Sequence, residues 1–216
     1  LSALIYAIVF PFILKTTQEN YLTFLVVGII PWNIFTTTIM QGTTCILMNA
    51  GIIKKVYFPR EILPISIATS GLVNFLISFI VIFLFVIFSG IGISYNILFL
   101  PLVILAQYLL SLGIIFITSA VDVYIRDAEY IINFFINMLF YATPIVYNST
   151  MFPANVRWIL ELNPMTQIIT CYRDILLYKT APPFQDLFLL LLLSMILVYL
   201  GHKIFKKKNK RFAEEL

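Results

Sequence analysis

The chain has 216 residues, of which 61% are hydrophobic, 16% aromatic and 11% charged. A soluble domain carries about 25% charged residues, so this surface cannot be covered with polar groups, and lipid has to be its main solvent. The net charge of +4 is no nucleic-acid signature, because the basic residues stand in loops between apolar runs. Cys45 and Cys171 fall in different segments and offer neither a disulfide framework nor a metal-ligand spacing.

Residues 1–14 form an apolar run ending at Lys15. About 20 residues are needed to cross a hydrocarbon core of about 30 Å, so this run is too short to span alone. It has no basic start and no small-residue cleavage site, which argues against a signal peptide. The expectation is the back half of a first spanning helix, truncated at its N-terminus. The second run covers about residues 22–48 and contains Pro31-Trp32, which is expected to kink it or split it. Residues 49–66, NAGIIKKVYFPREILPIS, then interrupt the apolar pattern with Lys54, Lys55, Arg60 and Glu61, punctuated by Pro59 and Pro64.

The third run covers about residues 62–88, and Gly90 and Gly92 mark a tight connection to the fourth, about 97–121. DVYIRDAEY, residues 122–130, is the second charged interruption. Asp122 and Arg126 stand there at i, i+4 in the favourable acid-first order. They are read as a salt bridge at a cytoplasmic corner. The fifth run covers about 131–147 and is broken near its end by Pro144, and the sixth covers about 184–205 before the tail KKKNKRFAEEL.

Short basic loops belong on the cytoplasmic side. With residues 49–61 inside, ten basic residues are cytoplasmic: Lys54, Lys55, Arg60, Arg126 and the six from Lys203 to Arg211. Four lie outside: Lys15, Arg157, Arg173 and Lys179. The expected fold is therefore an all-α integral membrane domain over residues 1–216. It has six transmembrane helices, both ends cytoplasmic, and no internal repeat of the kind inverted-repeat carriers show.

Residues 148–183 hold two shorter helices. Asn163-Pro164 reads as an N-cap followed by proline at the first helical position. Met165, Ile168, Ile169, Tyr172, Ile175 and Leu176 then recur on one face, while Gln167, Thr170, Arg173 and Asp174 decorate the rest. An amphipathic helix of about 14 residues is too short to cross. Residues 153–162 form a shorter candidate, with Trp158 at an interfacial position. The pair is either re-entrant or simply interfacial; non-helical backbone at membrane depth needs protein cover or a wet cavity.

No phosphate-cradling G-x-x-x-x-G-K-[ST] loop, nucleophile elbow or Cys/His metal cluster occurs in the sequence. The acidic residues lie at the ends of runs or in loops, which disfavours an ion-driven carrier. The energy for any transport then comes from elsewhere, an ion gradient or a partner ATPase. His202 reads as an interfacial residue beside the basic tail, which fixes topology and touches anionic lipid.

Polar residues inside the spans are amides and hydroxyls, among them Asn33, Gln107, Asn133 and Asn137. They either bond helix to helix, worth about 0.6 kcal/mol each, or line a path for a polar solute. Trp32, Phe35, Tyr141 and Tyr147 sit among them. Aromatic faces and amide edges suit sugars, whereas lipid-belt aromatics are the plainer alternative.

Residues 55–64, KVYFPREILP, closely resemble the cytoplasmic loop of permease subunits of ATP-binding-cassette exporters for polysaccharides and polyol phosphates, the O-antigen and teichoic-acid export group. DVYIRD at 122–127, ATPIVY at 142–147, NPMT at 163–166, YRD at 172–174 and the closing Arg211-Phe212 follow in the order that family shows. The resemblance covers essentially the whole chain. It implies a homodimeric permease in the cytoplasmic (inner) membrane, with two copies of a separate nucleotide-binding subunit that holds ATP and Mg. No cofactor is expected on this chain, and the substrate is a lipid-linked glycan such as O-antigen, capsule or teichoic acid. It assigns ATPase coupling to Lys54, Lys55, Val56, Tyr57, Phe58, Pro59, Arg60 and Glu61. The outer end of the path falls to residues 148–178, and Trp32, Phe35, Asn133, Asn137, Tyr141, Tyr147, Tyr172 and Arg173 are its candidate lining. An amphipathic interface helix ahead of the first span is also implied. The alternatives are a related permease for a drug or lipid, a polytopic membrane enzyme, and a channel-like scaffold without energy coupling.

Overall fold

The computed structural model describes residues 20–56, 58–125, 127–148, 158, 160–209 and 212. The regular elements among them are helical. In chain order they are α1 (Tyr21–Met48), α2 (Ala50–Ile53), α3 (Ile62–Phe88), α4 (Leu100–Asp122), α5 (Ala128–Tyr141), α6 (Pro164–Arg173) and α7 (Phe184–Asn209). A 3₁₀ turn, Tyr95–Phe99, leads into α4, and a π-helical turn, Asp174–Tyr178, extends α6.

Four of these helices are long and apolar enough to cross a membrane: α1, α3, α4 with its lead-in from Tyr95, and α7. At 1.5 Å per residue each rises about 40 Å, more than the hydrocarbon core requires. They correspond to the second, third, fourth and sixth apolar runs. The run at residues 1–14 lies outside the described residues. The fifth run forms α5, whose 14 residues rise about 21 Å. It stops at Tyr141 rather than near residue 147. Pro144 disfavours the helical region for Thr143, and the Thr143 hydroxyl turns back to the Leu139 carbonyl at 2.6 Å.

Helix α1 is not split at Pro31; it runs unbroken from Tyr21 to Met48. Proline has no amide hydrogen to give the carbonyl four residues back, yet an apolar solvent leaves the backbone few alternatives to helix. Within their most apolar stretches, α1 is 67% buried and α4 56%, against 28% for α3 and 22% for α7. The rest of the chain therefore leaves most of the last two uncovered.

The described chain packs as two units. The first takes α1 as far as Asn33, Phe75–Ile104 and Leu139–Leu190; the second takes Ile34–Asn74, Leu105–Met138 and the chain from Leu191 onward. The first unit is built on α6. Asn163 accepts the Met165 amide at 3.0 Å, and Pro164 opens the helix. The apolar face runs into the core through Met165, Ile168, Ile169, Tyr172, Ile175 and Leu176, all buried. Tyr172 packs on Phe75, ring centres 5.7 Å apart. In the second unit α4 and α7 approach backbone to backbone. A Cβ at Gly201 would come within 2.6 Å of the Gly113 carbonyl oxygen, so small residues are required at that crossing.

Candidate functional site

The charged loop belongs to the second unit. At the end of α1 the Asn49 side chain donates to the Cys45 carbonyl at 2.8 Å. The four-residue α2 follows, and its Ile53 is buried. Lys54, Lys55 and Val56 are exposed, Phe58 is half-buried and Pro59 is exposed. The Pro59 carbonyl accepts the Ile62 amide at 3.1 Å, which turns the chain into α3. An open cavity of about 540 Å³ lies here. Ile53, Val56, Phe58 and Pro59 give it an apolar lining, and Lys54, Lys55, Arg60 and Asn209 a polar one. With cations beside exposed apolar groups, this surface is chemically complementary to an acidic surface that carries an apolar element.

Two residues of the loop reach the end of α7. Arg60 donates to the Asn209 backbone carbonyl at 2.6 Å and to its side-chain oxygen at 3.1 Å. Glu61 meets His202 Nε2 at 3.2 Å. Sequence reasoning did not connect His202 and Asn209 with the loop, because 149 positions separate Arg60 from Asn209 and no local pattern links them.

Tyr57 and Arg126 lie outside the described residues, so the corner salt bridge is represented by Asp122 alone. Asp122 is buried at 2% exposure. The Glu129 amide hydrogen-bonds to it, and its Oδ2 has no hydrogen-bond partner among the described residues.

The residues considered for a solute path divide by exposure. Trp32 and Phe35 are buried, and Trp32 packs edge-on against Phe140 at 5.8 Å. Tyr172 and Arg173 are buried as well. Asn133 and Asn137 are exposed on α5, where the Asn137 amide donates to Asn133 Oδ1 at 3.0 Å. Tyr141 is exposed, and the half-buried Tyr147 donates its hydroxyl to the Tyr141 carbonyl at 2.8 Å.

Arg173 corrects the amphipathic reading of α6, which put it on the outer face. It lies in the first unit at 4% exposure. Its two terminal nitrogens donate to the carbonyls of Pro144 at 2.5 Å and Ile145 at 2.7 Å, and Tyr21 donates to the next carbonyl, Val146, at 2.8 Å. Three successive carbonyls past the end of α5 are thus held by two side chains. Burial pulls the Arg173 guanidinium down to about 9, which still leaves it cationic at neutral pH.

Helices of spanning length and a cation-bearing loop between two of them define a polytopic integral membrane protein. The chain belongs to the ABC-2 type transporter family, whose model matches residues 1–177. It is 34% identical over its whole length to an O-antigen export system permease protein RfbA of Klebsiella pneumoniae, 83% of which is covered. A second Klebsiella pneumoniae protein of that name is 32% identical, again over all of this chain and 83% of the relative. An RfbA of Myxococcus xanthus is 29% identical over all of this chain and 84% of the relative.

Proposed function

We propose that this chain is the transmembrane permease subunit of an ATP-driven exporter that carries a lipid-linked polysaccharide across the cytoplasmic membrane. The observation that carries the reading is end-to-end similarity to relatives named O-antigen export permeases. Among glycans this favours O-antigen over capsule or teichoic acid. The permease works as a homodimer with two copies of a separate nucleotide-binding subunit, which holds ATP and Mg. Each copy has six spans and both ends in the cytoplasm, with α5 as the fifth span.

The cavity beside Lys54, Lys55 and Phe58 is the seat of the ATPase. ATP binding draws the two ATPase subunits together and displaces the loop. The helices that follow shift and open a path at the dimer interface, and the glycan passes outward. Asn133, Asn137 and Tyr141 stand at i, i+4 and i+8 of α5, one stripe of a helix, and offer amide edges and an aromatic ring to sugar hydroxyls and C–H faces. Tyr147, bonded through its hydroxyl to the Tyr141 carbonyl, adds a second ring beside Tyr141.

The test is reconstitution with and without the nucleotide-binding subunit. The chain alone is expected to hydrolyse no ATP, and the complex is expected to export glycan in proportion to hydrolysis. Lys54→Gln/Lys55→Gln is expected to insert normally into the membrane but lose at least tenfold in export per ATP. Hydrolysis by the chain alone, or undiminished export by that variant, would refute the division of labour.

A further inference from the structure

The loop is fastened to the opposite end of the sequence. Its consecutive residues Arg60 and Glu61 hold Asn209 and His202, seven positions apart on α7, which is about two helical turns. The end of α7 is therefore gripped at two points along one side. His202 is itself braced, its ring lying edge-on to Phe116 at 5.5 Å. The fully buried Phe205 packs on Phe116 at 5.5 Å and on Phe212 at 5.4 Å. On its N-terminal side the loop is preceded by the four-residue α2. The Glu61–His202 pair is partly open to solvent, 30% and 41% exposed, and such pairs contribute little to stability. Its use is geometric: it fixes the loop to a long helix stiffened by aromatic packing.

We infer that the C-terminal turns of α7 are the lever of the coupling loop, with His202 as the positioning residue through which displacement of the loop is delivered to α7. This rests on the loop being the seat of the ATPase. It adds that the loop and the end of α7 move as one body, whereas a loop acting only through its flanking helices α1 and α3 would slide past α7.

The experiment uses the complete complex in proteoliposomes and reads three quantities: copurified ATPase subunit, ATP hydrolysis, and glycan exported per ATP. His202→Glu sets two carboxylates against each other. It is expected to retain the ATPase subunit and its hydrolysis but lose at least fivefold in export per ATP. The exchange Glu61→His/His202→Glu restores a carboxylate–imidazole pair and is expected to return export to within twofold of the parent, a recovery that a loss of folding would not allow. Joining Glu61→Cys to His202→Cys with a short bis-thiosulfonate linker is expected to leave export running, because the two parts already travel together. Should His202→Glu fail to assemble, the linked variant decides. Undiminished export in His202→Glu, or arrest by the linker, overturns the lever. If Lys54→Gln/Lys55→Gln keeps full coupling, the seat itself is wrong and the lever falls with it. Loss of coupling there beside an unaffected His202→Glu rejects the lever alone.

Discussion

The guanidinium carbon of Arg173 sits 3.5 Å from the centre of the Phe24 ring. This ties α6 to α1 inside the first unit, with the Pro144–Val146 segment bonded to the same cluster. A desolvated cation–π contact is worth about 2 kcal/mol, and a buried carbonyl left without a donor costs about 1–3 kcal/mol. Arg173→Met strands two carbonyls but also removes a desolvated charge, which offsets part of the loss, so it should lower the stability of the detergent-solubilised protein by about 3–5 kcal/mol. Arg173→Lys keeps the charge, but a single ammonium cannot reproduce the planar fork across two carbonyls. It should lose roughly half as much as Arg173→Met. Thermal unfolding in detergent, followed by intrinsic fluorescence, ranks the two; equal midpoints for parent and Arg173→Met would remove the clamp from the account.

Gly28 makes room for that guanidinium. A Cβ built there would stand 2.7 Å from Arg173 Nη2 and 3.3 Å from the Ile145 carbonyl oxygen. Gly28→Ala is expected to cost about 1–3 kcal/mol, the usual range for overpacking, and the cost should nearly vanish in an Arg173→Met background. A double-mutant cycle measures this directly. Strict additivity would mean that the alanine is accommodated elsewhere and that Gly28 serves some other end.

Much of this architecture was legible from residue order, for physical reasons. Helix α3 was expected at about 62–88 and found at Ile62–Phe88, because an uninterrupted apolar run beside proline-rich turns has one solution in lipid. Helix α7 extends to Asn209, past the expected residue 205. Lysines are good helix formers, and a cationic last turn favours the helix dipole. The cap at Asn163 and the buried face of α6 also followed from pattern. Arg173 did not, since a charged residue one step from Tyr172 reads as outward-facing until its carbonyl partners are known. The loop's contacts to His202 and Asn209 were equally invisible, being tertiary and unmarked by any spacing.

Asn163 serves two structures at once. Its oxygen caps α6 through the Met165 amide, and its Nδ2 donates to Thr143 Oγ1 at 2.8 Å. Because the Thr143 hydroxyl is already given to Leu139, an aspartate at 163 would keep the cap but face a lone pair. Asn163→Ala should cost about 2 kcal/mol, roughly one for the cap and one for the second bond. Asn163→Asp should recover only part of it. Full recovery by aspartate would indicate that the Thr143 contact carries no energy. The comparison is made by thermal midpoint in detergent.

Asn133 and Asn137 are exposed amid Phe134, Phe135 and Met138, which are exposed too. Each amide carries two donors and an acceptor with two lone pairs, so the one bond between them at 3.0 Å leaves most of that capacity outside the pair. Facing lipid alone, such groups are costly, and leucine in their place would stabilise the chain without affecting transport. Facing a glycan, they supply hydrogen bonds that leucine cannot. Asn133→Leu/Asn137→Leu is therefore expected to hold or raise the thermal midpoint while cutting export by about tenfold, which corresponds to about 1.4 kcal/mol, the scale of one or two lost hydrogen bonds. Stabilisation with export at the parent rate would assign this side of α5 to lipid and remove it from the path.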